Sequence, residues 1–453
     1  MKHETRTSMG PLEDGQTVAI IGGGPSGAAC AIALKNLAAG TGKTINVVLY
    51  EGKVFSGETH YNQCLGVLSP PIEKIVTDEL GLPFPHHLVR SKITGYILHS
   101  DQQQIELTGE DEPSYALRRV QFDAYLLDQA RLRGVRVVHS RVTDVELRWD
   151  KVVVYSDSEE CRADVVVGAF GLDDGGCKLF ERATAHLGGN SYRQPQALGS
   201  IVTKIHPRDE YLARFGECIH AFLPSIPQIE FGAITPKGNH LTINIAGGEI
   251  SSLWMDRFLE LPAVKEVLPK GKDLLPPHSD LNANDLRYFK GRFPISVAKN
   301  YYGNRYVIVG DAAWLLRSFK GKGVNSGCMS GAAAAKAMMK EGISKEAFQT
   351  FFTADPRTQA VFSDLPYGRI IRRLAVMSAN YGFLDGVIVL ARKEPLLRRA
   401  LFNCVSAHKL YREIVWETLQ PKLTLKMAGA VGLSLLGIYP LQPKGSNMQR
   451  ALH

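Results

Sequence analysis

A β-branched strand running straight into a glycine triplet constrains this chain more than any other feature. "TVAIIGGGPSGAACAIALKNLA" opens at Thr17, and "INVVLYE" ends at Glu51. The apolar run at 17–21 reads as a strand buried on both faces, and the small residues after Pro25 as a helix packed close to it. "INVVLYE" is a second strand, so the unit is βαβ, of about the length a parallel crossover needs. Gly22, Gly24 and Gly27 stand in G-x-G-x-x-G spacing between strand and helix, with Ser26 in the first helical turn. The first glycine permits the tight turn, the second lets a pyrophosphate approach the backbone, and the third allows close helix–strand packing. The helix N-terminus stabilises an anion, and Glu51 is placed to accept from a ribose hydroxyl. This points to a dinucleotide without separating NAD from FAD.

The second half of the signal lies almost 300 residues downstream. "ADVVVGAFG" is another fully apolar strand, and "VIVGDAA" carries Gly310 and Asp311 at a strand end, where ligands of parallel sheets bind. A basic loop with Lys320, Gly321, Lys322 and Gly323 follows, leading through Val324 into a helix near Asn325. Between these parts, 194–289 changes to alternating strands, with "PKGN" as a turn between two of them. After about Lys345 the chain reads as helical.

With Arg119-x-x-Phe122-Asp123 opening a helix, the set of motifs resembles the flavoprotein superfamily of p-hydroxybenzoate hydroxylase and geranylgeranyl reductase. The resemblance covers roughly 17–340, in the family's order. "CLGVLSP" from Cys64 and "GKGVNSGCMSGAAAA" from Gly321 are closer to the reductase branch. The resemblance implies FAD, with Asp311 accepting from the ribitol and Arg119 near the ribityl–phosphate region. It also makes Cys64 similar to a cysteine near the flavin face, a proton donor or modulator in alkene reduction. The implied class is α/β, α+β overall: a Rossmann-type FAD-binding domain from 17–85, 117–190 and 295–345, with an inserted antiparallel β-rich substrate domain from 86–116 and 191–294. Residues 1–16 are expected to be disordered, and 346–453 to form a helical basic and apolar region.

Two departures from the family pattern carry expectations. Phe170-Gly171 replaces the usual Asp-Gly, so direct reduction by NADPH should be slow and a reduced protein donor becomes an alternative. Phe231, Ala233 and Thr235 replace an aromatic-x-Trp-x-Phe element before Pro236-Lys237, so the pocket should be wider or differently shaped. The expected activity is reduction or dehydrogenation of a carbon–carbon bond in an apolar, lipid- or isoprenoid-like substrate. An aromatic or polyketide monooxygenase and an electron-transfer flavoprotein serving membrane quinone are the alternatives. The Trp-x-Trp-x-Ile-Pro element of flavin-dependent halogenases is absent.

Composition narrows the setting. Seven scattered cysteines without a C-x-x-C pair argue against zinc, iron–sulfur clusters or a disulfide framework, and suit a reducing cytosol. The polar start has no apolar signal core. His60, His86, His87 and His240 read as isolated. The net charge of +8 sits entirely after residue 360, where 13 Lys/Arg face five Asp/Glu. The uncharged run 427–441 is shorter than the roughly 20 residues that span a bilayer. Peripheral attachment to an anionic membrane is therefore preferred to a span, and the alternative for the tail is a helical cap on the substrate domain whose basic residues face water. Nucleic acid is not expected, because aromatic stacking positions are not interleaved with the charges.

Overall fold

The computed structural model describes residues 9–55, 64–109, 112–274, 286–313, 323–354, 356–406 and 408–435. Its first layer is a six-stranded sheet built on β1 (Thr17–Ile21), followed by α1 (Pro25–Thr41) and β2 (Asn46–Tyr50). In spatial order the sheet runs Tyr302–Gly303, Tyr306–Ile308, Val165–Gly168, β1, β2, Arg136–Val138. All neighbours are parallel except the two-strand edge at 302–308. Val18, Ala19, Ile20 and all three valines of Val165–Gly168 are fully buried, as a sheet covered on both faces requires. Strands from three distant parts of the chain thus share one core.

Helix α2 (Arg119–Leu132) packs beside α1. The segment 9–16, expected to be disordered, is packed instead. Leu12 is fully buried and its N–H donates to Met338 O at 2.9 Å, while Gln16 reaches Asp164. Leu12, with Met9 packed on the same core and backbone bonds to Thr44 and Ile343, anchors it.

The second layer is a seven-stranded sheet. Its centre is β3 (Ala197–Ile205), β4 (Phe231–Pro236) and β5 (Leu241–Gly247), with β5 between the other two. Phe289–Pro294 lies outside β3, while Cys218–Phe222, Gly95–His99 and Gln104–Thr108 extend the other side. Only the Cys218–Phe222 and Gly95–His99 pair is parallel. One face packs Ile201, Ile234 and Ile243 against Met255 and Phe258 of a short helix. On the opposite face, Ala233 and Leu98 meet Leu65, Val67 and the C-terminal helices.

The chain then returns to the first sheet with β6 (Tyr306–Ile308) and α3 (Gly323–Lys340), and ends in helices that include α4 (Pro356–Asn380) and α5 (Pro421–Leu435). These helices cap the seven-stranded sheet. Arg372 holds Glu230 through two bonds of 2.6 Å, and Arg392 and Arg398 donate to the Gln104 and Glu106 carbonyls of the edge strand. Arginines on those carbonyls protect an otherwise open edge. Among the described residues no single helix is long and apolar enough to cross a membrane.

Candidate cofactor and substrate site

The three fingerprint glycines meet different surroundings. Gly22 has φ +110°, and a Cβ there would lie 2.4 Å from Ala169 O. A Cβ on Gly27 would lie 1.9 Å from Gly22 O and 3.1 Å from the Ala169 Cβ, so helix and strand touch through its missing side chain. At Gly24, the N-cap of α1, a Cβ would meet nothing within 4 Å. The backbone there faces open space, as a cradle for a ligand must. Glu51 is almost buried; one carboxylate oxygen accepts from Gly23 N–H at 2.8 Å and the other from Lys53 N–H at 2.7 Å. Each oxygen keeps a lone pair for a further donor.

Helices α1 and α3 approach along small residues. A Cβ on Gly331 would lie 2.1 Å from Ser26 O, and one on Gly327 2.7 Å from Ser26 Oγ. Ser26 also fills the space at Gly310, where a Cβ would come within 2.0 Å of its Oγ. Gly310 has φ +67°, and its N–H donates to Ser330 Oγ at 3.0 Å. The positive ends of two helices therefore converge beside the turn Gly310–Ala312, an arrangement that favours anions. The loop residue Gly321, with Lys320 and Lys322, lies outside the described residues. Gly323 opens α3, and Val324 is a core side chain. The Asn325 side-chain amide is spent on Ser69 O at 2.9 Å, so it ties α3 to the segment after Cys64.

Asp311, Arg119 and Cys64 come together at the end of β6. Arg119 Nε donates to buried Asp123 at 2.6 Å. Burial works against the guanidinium, but Asp123, Cys64 and Asp311 outweigh it and leave the Arg119 pKa raised. Burial raises Asp311 above the usual carboxylate range, opposed by Arg119. Phe170 stacks on Phe180 and edges Tyr192, whose hydroxyl donates to Ala312 O at 2.9 Å. At Phe170, where the flavoproteins it resembles carry an acid, this chain carries one wall of an aromatic buttress behind the Asp311 turn.

The pocket candidates Phe231, Ala233 and Thr235 share one face of β4, as their two-residue spacing dictates. Phe231 leans on Phe293, with ring centroids 6.0 Å apart. In sequence, Lys237 is only the second residue of a Pro-Lys turn. It is 3% exposed, its Nζ donates to Cys64 O at 3.3 Å, and burial lowers its pKa to about 8. His240 is not isolated: it is buried, lies 5.3 Å from the His206 ring, and burial lowers its pKa to about 3. The signal for both was positional, since 235, 237 and 240 flank one turn.

No protein-family model matches the chain. Solved structures do. A geranylgeranyl bacteriochlorophyll reductase-like protein from Thermoplasma acidophilum superposes with a TM-score of 0.64 at 18% identity, covering 89% of this chain and 98% of its own. A flavoprotein/dehydrogenase from Cytophaga hutchinsonii gives 0.61 at 16%, over 94% of this chain and all of its own. A flavin-dependent brominase gives 0.58 at 17%, over 88% and 98%. The chain thus has the α/β flavoprotein fold, the architecture of the reductase, dehydrogenase and brominase structures it resembles.

Proposed function

We propose that the protein is an FAD-dependent oxidoreductase that reduces or dehydrogenates a carbon–carbon bond of a lipid- or isoprenoid-like substrate. The observation that carries this reading is the open backbone at Gly24 beside two converging helix N-termini, with Asp311, Arg119 and Cys64 at the adjoining strand end. In this reading Gly22, Gly24, Ser26, Gly27 and Glu51 hold the adenine-side half of the dinucleotide. Arg119, Asp311 and the start of α3 hold the flavin-side half. Bound FAD supplies two-electron hydride chemistry.

The chain's own residues do the rest. In the reductive direction, Cys64 Sγ–H delivers the proton to the carbon that does not receive the hydride. The charge left on sulfur then faces Arg119, Lys204 and Lys237, all within its electrostatic reach. The face of β4 from Phe231 to Thr235 orients the substrate and excludes water. In the same reading the exposed apolar residues of the C-terminal helices touch an anionic membrane from which such a substrate is drawn.

The test is anaerobic single turnover. Dithionite-reduced holoprotein mixed with a polyprenyl alkene should reoxidise as the double bond is lost, and Cys64→Ala should slow that step at least tenfold. Turnover that needs oxygen would replace this reading with a monooxygenase. Reoxidation by quinone alone would replace it with an electron-transfer protein.

A further inference from the structure

The seven-stranded sheet carries a row of polar side chains, three of whose atoms find no partner among the described residues. Thr235 on β4 stands directly opposite Thr242 on β5, and Thr242 directly opposite Lys204 on β3. Cross-strand partners point to the same face, and the two-residue period adds Lys237 and Asn244 to it. Thr235 and Thr242 are fully buried, Asn244 is 6% exposed and Lys237 3%. The hydroxyls of Thr235 and Thr242 and the Asn244 Oδ1 have no hydrogen-bond partner. Buried polar atoms are almost always paired, so three orphans in adjacent positions mark a missing partner.

The charge of that partner follows from the cations. Among the described residues neither Lys237 nor Lys204 makes an ion pair. Lys237 keeps two of its three donors after its single bond to Cys64 O. Arg118, Arg119 and Lys204 all press on it, and together with burial they outweigh the one favourable neighbour, Cys64. A buried ammonium among like charges is stabilised by an arriving anion.

The same face changes character along the strands. Asn244 is flanked across the sheet by Ala233 and Val202, and beyond them lie Phe231 and Phe293. Polar donors at one end and aromatic carbon at the other fit an amphipathic molecule. We propose that Lys237, Lys204, Thr235 and Thr242 bind an oxyanion head, carboxylate or phosphate, on an apolar body that lies along Ala233 and Phe231. The Asn244 Oδ1 accepts from a hydroxyl of the same ligand. This rests on the flavoenzyme reading above and deepens it: the substrate is an amphipathic acid, and its charged end is recognised beside Cys64.

The test titrates FAD-loaded protein with palmitate, hexadecyl phosphate and hexadecanol, read by the flavin absorbance and by calorimetry. At least one of the two anions should bind tenfold or more tightly than the alcohol, and which one wins identifies the head. Lys237→Met should abolish that preference while retaining full FAD and an unchanged or higher melting temperature. Thr242→Val, nearly isosteric, should weaken the preferred anion several-fold. Equal binding of all three, binding of none, or a preference that survives Lys237→Met overturns the proposal, leaving ordered water as the partner of the orphaned hydroxyls. FAD content separates the two readings: failure to take up FAD sinks the flavoenzyme assignment, whereas full FAD without anion preference sinks only the head-group site.

Discussion

Gly24 and Gly27 are three positions apart in one motif, and their substitution should fail in different ways. A Cβ at Gly24 meets no protein atom within 4 Å, so Gly24→Val apoprotein should melt at the temperature of wild-type apoprotein. It fills the space the pyrophosphate needs, and FAD content after purification should drop to a small fraction of the wild type. Gly27→Ala places a carbon 1.9 Å from Gly22 O. Overpacking of that kind costs about 1–3 kcal/mol, and here backbone must move, so urea unfolding should show a loss at the top of that range. Equal flavin loss at equal stability in both variants would contradict this division of roles. Lys237 offers a second residue-scale test. Its pKa falls from 10.5 in the unfolded chain to about 8 in the fold, mainly through burial. Between those values the unfolded lysine binds a proton that the folded one does not, so its contribution to stability is lost as pH falls from 10.5 towards 8. The shift corresponds to about 3 kcal/mol. Lys237→Met should therefore be more stable than wild type at pH 7, with a gap that narrows as pH rises to 10. A gap that does not depend on pH would show that the lysine is not buried as a strained cation.

At the scale of elements, legibility followed locality. The unit from β1 to β2 was readable because its strand, turn, helix and acid lie within 35 residues and each is dictated by neighbours in sequence. The alternation in β4 was equally readable, and it placed Phe231, Ala233 and Thr235 on one face. It did not reveal what that face meets, because Thr235, Thr242 and Lys204 become a row only through a register set by three strands. Nor did it reveal that Asn325 is spent on Ser69, a contact across more than 250 residues. The aromatic buttress was half visible. Phe170 was conspicuous as a departure from Asp-Gly, whereas its partners Phe180 and Tyr192 looked like ordinary core. Because the buttress occupies that place, stopped-flow reduction of the bound FAD by NADPH should be slow beside dithionite. Rapid bleaching by NADPH would show that the acid was dispensable. Phe170→Leu should loosen the Ala312 carbonyl held by Tyr192, lowering FAD affinity without changing which donor is used.

For the whole molecule, the question is what the excess positive charge of the tail does. Part of it is internal: Arg372, Arg392 and Arg398 cap the seven-stranded sheet, and Lys426 pairs with Glu394. Leu423 is 4% exposed within the second core, so α5 is part of the fold, and removing it should destabilise the sheet rather than trim an appendage. The run 427–441 continues past the described residues at 436, so the structure speaks only for its first part. Other residues remain outward. Ile370, Leu374 and Met377 on α4, with Tyr381 just past its end, form an exposed stripe at helical spacing beside exposed Arg369 and Arg373. Trp416, Leu419 and Leu425 add more exposed apolar surface. An apolar stripe flanked by arginines suits the interface of an anionic bilayer, where each cation contributes on the order of 1 kcal/mol and salt screens it. Binding to phosphatidylserine-containing vesicles should weaken from low to high ionic strength, leaving a salt-resistant remainder from the inserted side chains. Leu374→Glu combined with Met377→Glu should remove that remainder, while FAD content and melting temperature stay at wild-type values because both positions already face outward. Arg369→Gln with Arg373→Gln should flatten the salt dependence instead. A protein that ignores such vesicles at low salt, or whose binding survives both pairs of substitutions, would assign the stripe to another partner and leave the tail as a cap on the sheet.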